Sequence, residues 1–347
     1  MRLIADRPSL PPLLQMSFVR IAHRCMTWAF VLCAGFATSN LVFAADAQPE
    51  WKVKNMGATI NSAYQDGWAT ITGDGLTLYF SSNRPGGFSE AKLEDGWYLG
   101  KDGTPTRYDI YVSHRAKRSS PWGKPKLLSK GVNSTSSEHS ALQSDDGHWL
   151  FFASDRPGGC GGLDIYVSHR ANTKDDMAWG EPRNLGCEKD GGPNGPGIDS
   201  CPNFDNKGNL YWTSAKDDDP ANIDFKGTTF DVKTGRASMG KTLPNSTAFM
   251  DAHIDPVHGY VWGAYPNSMG GSDIYKFENS ERQRDPTKWT NPVLLPAPIN
   301  SAFEDQVPAP THDGKVVTFA SDRPGGKGGL DIYEAVRIPK RPTRSTP

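Results

Sequence analysis

Residues 321–333 read SDRPGGKGGLDIY and residues 154–166 read SDRPGGCGGLDIY, so two stretches 167 residues apart differ at one position in thirteen. Self-similarity of this kind marks a chain built by repeating one supersecondary unit, and it limits the fold more than composition does. The last three residues of the motif recur as Asp109-Ile110-Tyr111, Asp164-Ile165-Tyr166, Asp273-Ile274-Tyr275 and Asp331-Ile332-Tyr333. Upstream, apolar runs follow a tight turn: Asp74-Gly75 before Leu76 to Phe80, Asp146-Gly147 before Trp149 to Phe152, and Asp313-Gly314 before Val316 to Phe319. Asp-Gly between apolar runs predicts a β-hairpin, with positive φ expected at both turn residues. Lys207-Gly208 and His258-Gly259 hold the same place in two more units, which makes five hairpins.

Each Asp-Ile-Tyr strand is followed by a Trp, Pro, Leu pattern: Trp122, Pro125 and Leu128; Trp179, Pro182 and Leu185; Trp289, Pro292 and Leu295. Proline within a strand is tolerated at a sheet edge, so this element is the outermost of four strands. Asn-Ser pairs at Asn61-Ser62, Asn133-Ser134, Asn245-Ser246 and Asn300-Ser301 then lead into the next unit. Four antiparallel strands per unit and five units predict an all-β chain, a single β-propeller of five four-stranded blades. No Trp-Pro-Leu strand follows Tyr333, whereas Trp51 to Met56 precedes Ile60-Asn61-Ser62 as Trp289 to Leu295 precedes Ile299-Asn300-Ser301. The N-terminal strand is therefore expected to complete the last blade and remove an open sheet edge. Unit one carries a 17-residue insertion within Phe88 to Tyr108, containing Trp97 and Tyr98. Unit three, from about Asp199 to Leu243, lacks both signatures, carries Asp217-Asp218-Asp219, and has its third strand expected at Thr228 to Val232.

The hairpin, the Ser-Asp-Arg-Pro-Gly-Gly-x-Gly-Gly-x-Asp-Ile-Tyr run and the trailing Trp-Pro-Leu strand resemble the WD40-like repeat of TolB-type bacterial propellers, which are common in periplasmic and envelope proteins. The resemblance spans nearly all of residues 51–336 and departs in number, since TolB's own propeller has six blades. It therefore implies an envelope setting without carrying over TolB's partner.

Within the motif, Pro85, Pro157 and Pro324 preset φ for a turn and the following glycine supplies the positive φ of a type II turn. The Asp of Asp-Ile-Tyr is expected to accept N–H bonds from that loop, with the Arg pairing to it or to a neighbouring blade. A phosphate-binding glycine loop would precede a helix, and here a strand follows. Aligning the hairpin turns places Asp66, Glu138, Asp199 and Asp305 in one column near the start of the innermost strands, with Asp251 joining if its turn is one residue longer. Two uses are open beside a purely structural one. The column could hold Ca2+, which takes six to eight oxygens, or two acids could serve as acid and base of a glycoside hydrolase. His139 follows Glu138, and His253 lies two residues after Asp251 on the same expected strand face. No Gly-x-Ser-x-Gly or zinc spacing accompanies them.

At the N-terminus, Arg20 and Arg24 precede the apolar run Met26 to Phe36 and then Val42-Phe43-Ala44. This is the layout of a secretory signal peptide over 1–44, with Met16 the more natural start and a run too short to span a membrane. Cleavage after Ala44 leaves 34 basic and 38 acidic residues, which gives no electrostatic case for nucleic acid. Residues 45–336 form the propeller and 337–347 a polar tail. Cys160, Cys187 and Cys201 remain in a compartment that permits disulfides, with Cys160–Cys187 and Cys187–Cys201 as rival pairings. The expected protein is a periplasmic or secreted monomer that binds a protein or glycan of the cell envelope through Trp97, Tyr98, Glu138, His139, Asp251 and His253. Glycoside hydrolysis is the alternative.

Overall fold

The computed structural model describes residues 50–88, 107–205, 207–216, 222–243, 250–255, 260–266, 271–278, 292–311 and 313–338. The expected signal peptide, Trp97, Tyr98, Asn245, the Asp217 to Asp219 loop and residues 339–347 lie outside them, whereas Arg337 and Ile338, expected in the tail, belong to a strand. The described strands form five antiparallel sheets. The first joins β2 (Asp66–Ile71), β3 (Thr77–Ser82), β4 (Asp109–His114) and β5 (Lys126–Leu127), and the second joins β6 (Glu138–Gln143), β7 (Trp149–Ser154), β8 (Asp164–His169) and β9 (Arg183–Asn184). The third runs β10 (Ile198–Phe204), β11 (Asn209–Ala215) and β12 (Ile223–Asp231), with β13 (Arg236–Ala237) and β14 (Lys241–Thr242) both on β12. The fourth holds β15 (Met250–Asp255), β16 (Tyr260–Pro266), β17 (Ser272–Glu278) and β18 (Val293–Leu294). In the fifth, β19 (Asp305–Pro310), β20 (Val316–Ser321) and β21 (Asp331–Ile338) are completed by β1 (Glu50–Asn55), whose Trp51 faces Arg337 and Asn55 faces Tyr333.

The first strands of the sheets neighbour one another in a cycle: β2 with β6, β6 with β10, β10 with β15, β15 with β19, and β19 with β2. Because successive strand residues point to opposite faces, each sheet feeds two cores. Phe152 packs with Tyr79 and Ile110 of the first sheet, whereas Phe151 packs with Phe204, Leu210 and Trp212 of the third. Phe225 and Phe277 join the third sheet to the fourth, Ile274 and Phe319 the fourth to the fifth, and Ile332 and Phe80 the fifth to the first. The architecture is all-β and propeller-like.

Two expectations are corrected here, and the outermost position expected for the strand after each Trp and Pro is met by β5, β9 and β18. The third strand of unit three begins at Ile223, well before Thr228, because β12 pairs along the whole of β11. The strand after each Trp and Pro is only two residues long, since the proline lacks an N–H for the ladder. Its tryptophan instead stacks on a buried guanidinium, Trp122 on Arg115 at 4.2 Å and Trp179 on Arg170 at 4.1 Å. At the hairpin turns Gly75, Gly147 and Gly314 have positive φ but their preceding Asp do not. The Asp74 carboxylate accepts bonds from the Leu76 N–H and the Thr72 hydroxyl, and Asp146 and Asp313 do the same in their units.

The asparagine between units closes the sheet it leaves. Asn133 accepts from the Ile110 N–H at 2.8 Å and donates to the Ile110 and Leu128 carbonyls at 3.0 and 3.2 Å, and Asn300 repeats this on Ile274 and Leu295. Asn61 holds Ile332 in the same way, and Asn194 holds Ile165. Cys160 and Cys187 are joined by a disulfide, which ties the loop after β7 to the end of β9, and Cys201 is free and buried.

Candidate functional site

The column acids sit inside their blades. Asp66, Glu138, Asp199 and Asp305 are fully buried. Asp66 accepts the Ser62 N–H at 2.6 Å, the Ser62 hydroxyl at 2.8 Å and the Arg84 guanidinium at 2.5 Å. Glu138 accepts from Ser134 N–H, the Ser134 and Ser154 hydroxyls, and Arg156 at 3.1 Å. Asp305 takes the Ser301 N–H and hydroxyl and Arg323. The arginine of the repeated motif thus pairs with the column acid of its own unit, not with the Asp-Ile-Tyr acid or another blade. It also lies over two aromatic rings, Arg156 over Phe152 and Tyr166, and reaches back to the Val132 carbonyl. In unit three Trp212 replaces this arginine and donates its indole N–H to Asp199 at 2.9 Å. Burial pushes the pKa of Glu138 and of Asp199 up, against the serine bonds that lower the first and the Ser214, Gly195 and Trp212 bonds that lower the second.

The Asp-Ile-Tyr acids hold the glycine loop, as their position implies. Asp164 accepts the Cys160 N–H at 2.5 Å and Asp331 the Lys327 N–H at 2.6 Å. The first glycine of each pair supplies the turn, with φ of 91°, 89° and 94° at Gly86, Gly158 and Gly325. The second makes room for the acid: a Cβ on Gly87 or Gly159 would stand 1.9 or 2.1 Å from the Asp109 or Asp164 carboxylate.

The residues that do converge on the axis come from a feature the repeat motif does not announce. Each innermost strand carries a bulge, between residues 67 and 70, 139 and 142, 200 and 203, 250 and 253, and 306 and 309. At each bulge one non-glycine residue has positive φ: Trp68, Ser140, Cys201, Asp251 and Val307, between 47° and 55°. Five equivalent bulges re-aim five side chains. Cys201 donates its thiol to Asp251 at 3.1 Å, Ser140 Oγ lies 3.4 Å from Cys201 Sγ, and the Trp68 indole also bonds Asp251. Asp251 therefore belongs to this ring, two positions beyond the acid column, and the expected alignment is corrected by its bulge register. Burial raises its pKa against the Cys201 and Trp68 bonds, and burial raises the Cys201 thiol further out of the nucleophilic range.

Above the ring, half-buried Trp68 and His139 meet buried Tyr108 with all three ring centroids 5.0 Å apart. His139 Nε2 lies 2.8 Å from the Ser137 hydroxyl, and Tyr108 donates to Gln65 at 2.7 Å. Burial depresses the pKa of His139 and of His253 to about 4, so both are neutral at pH 7. His253 does not share a face with Asp251, because the bulge intervenes; it lines a separate axial cavity toward the other ends of the strands. Trp68, Tyr108 and Ser140 were not candidates from the sequence, and Cys201 was one only as a rival disulfide partner of Cys187. Only Tyr108, beside Asp109 at the end of the insertion, had a signal there. Among the described residues no three Asp, Glu, His or Cys side chains converge to hold a metal ion.

Neither a family model nor any curated protein matches this chain. Solved structures do match. Zg3597, a family 117 glycoside hydrolase of the marine bacterium Zobellia galactanivorans, has a TM-score of 0.54 at 12% identity over 83% of this chain and 90% of its own. An α-L-arabinofuranosidase from Lactobacillus brevis has 0.51 at 11% identity over 80% and 92%. A putative TolB from Agrobacterium tumefaciens also matches, with 0.44 at 11% identity over 84% and 98%. At these identities the likeness is one of fold alone. No helix among the described residues is long and apolar enough to cross a membrane.

Proposed function

We propose that the five sheets are the blades of one five-bladed propeller, and that the chain is an exported binding module that takes a protein or glycan ligand at the mouth of its axis. One observation carries this reading. The column acids are buried in bonds within their own blades, while the half-buried Trp68 and His139 pack on Tyr108 and Trp68 also bonds Asp251 at the axis. An aromatic surface beside hydrogen-bonding groups is what a sugar ring or a peptide side chain needs. A panel of immobilised glycans and peptides tests it. Trp68→Ala should lower affinity for the ligand found by about tenfold or more in a protein that remains folded by circular dichroism. Glu138→Gln should lower the melting temperature and leave the ligand profile alone. Binding by Trp68→Ala at wild-type strength would remove the reading.

A second reading draws on Asp251 alone. A half-buried carboxyl with a raised pKa suits a general acid, as the hydrolase alternative requires. It also requires a second carboxylate about 5–10 Å away, and Ser140 and Cys201, not acids, are bonded on that side of Asp251. Hydrolysis of aryl glycosides by the wild type, lost in Asp251→Asn, is the result that would favour it.

A further inference from the structure

The axis holds a second site, at the end away from Trp68. The C-terminal ends of β2, β6, β10, β15 and β19 enclose a cavity of about 30 Å3, the size of one or two water molecules. Among the described residues its lining includes Thr70, Gln143, Asn203, Asp205 and His253 and no lysine or arginine. His253 is 3% exposed and its Nε2 has no hydrogen-bond partner among the described residues. Its Nδ1 lies 3.4 Å from the Asp251 carbonyl, which requires the proton on Nδ1 and leaves Nε2 a bare acceptor. A buried acceptor without a donor is costly, so this atom calls for a guest that donates. Asn203 offers no donor, because its amide already bonds the Cys201 and Ala252 carbonyls. Gln143 is shared with an open groove lined by Asp74, Asp145, Asp146 and Asp176. The groove's cations are Arg170, which bonds Gly147, Gln143 and Asp176, and exposed Lys174.

We propose that the axial cavity seats a primary ammonium group, the end of a lysine side chain on a partner segment that lies along the acidic groove. The ammonium donates to His253 Nε2 and to acceptors of the lining, and the groove carboxylates supply the attraction that water lacks. The site is independent of the ligand proposed for the Trp68 face.

Methylammonium is the probe, with tetramethylammonium at equal ionic strength as a control that carries charge but no N–H. In the folded protein labelled with 15N, methylammonium should produce a saturable shift of the His253 Nε2 resonance at pH 7.5, and tetramethylammonium none. Followed at the Ile254 amide, His253→Phe should weaken methylammonium about tenfold or more, while His253→Gln, which keeps an acceptor, should retain it. The wild-type titration stands even if a variant fails to fold. Equal responses to the two ions, no saturable response because the cavity holds water alone, or wild-type affinity in His253→Phe would each overturn the proposal.

Discussion

At the scale of single residues, the four Asp-Ile-Tyr acids do not share one environment. Asp109, Asp164 and Asp331 take N–H groups from the glycine loop, but neither oxygen of Asp273, at the same position of the fourth unit, has a hydrogen-bond partner among the described residues. Burial, followed by the Asp305 and Glu304 charges, pushes its pKa up to about 6. A carboxyl raised above its unfolded value of about 4 contributes stability that is present below pH 4 and lost as pH rises through 6. Asp273→Asn should therefore raise the melting temperature at pH 8, with the gain gone at pH 4. A series of thermal melts from pH 4 to 8 measures this, and a substitution without effect at pH 8 would mean that Asp273 is solvated. The acids were legible as positions because the hairpin spacing is constant across units one, two, three and five. Their roles were not, because a carboxylate facing an axis and one buried under arginine have the same one-letter code. Trp68, Ser140 and Cys201 escaped for a related reason: a bulge moves the strand's side-chain alternation without placing a glycine at the positive-φ position to mark it.

At the scale of elements, the asparagine between units does the work of a missing strand. The outer strands β5 and β18 extend only two residues, and β1 ends before Ile332, so the N–H groups of Ile110, Ile274 and Ile332 would lack partners without Asn133, Asn300 and Asn61. Asn133→Ala removes three bonds from buried groups and should cost about 2–3 kcal/mol, read as a lower urea midpoint at unchanged slope. A cost under about 0.5 kcal/mol would show that water replaces the side chain. The Asn-Ser signature was visible in the sequence. Its counterpart Asn194 was not, because glycine follows it where the other units have serine, although it keeps the five-residue spacing to Asp199.

For the whole molecule, the repeat disclosed the strand order and the role of Trp51 to Met56, since the last unit visibly lacked its outer strand. β1 contributes six paired residues and the buried Trp51. Deleting residues 45–57 should destabilise the protein by about 5 kcal/mol or more and expose β21 as an edge. Thermal melts and size-exclusion chromatography of the deletion check both effects, and an unchanged melt would count against closure by β1. What the repeat could not disclose is the axis. The side chains that meet there come one from each unit and differ in kind, so no periodicity announces them.

The pairing of β1 with β21 also sets an order in time. A ribosome delivers the closing strand first and its partner last, so residues 50–55 stay unpaired until the chain has been made as far as residue 338. A nascent or prematurely ended chain carries two unsatisfied strand edges, one at each end, for as long as it remains open. Such edges are what chaperones grip and what neighbouring chains misjoin. The arrival of β21, more than the stability of any one blade, is then the event that commits this polypeptide to its native form.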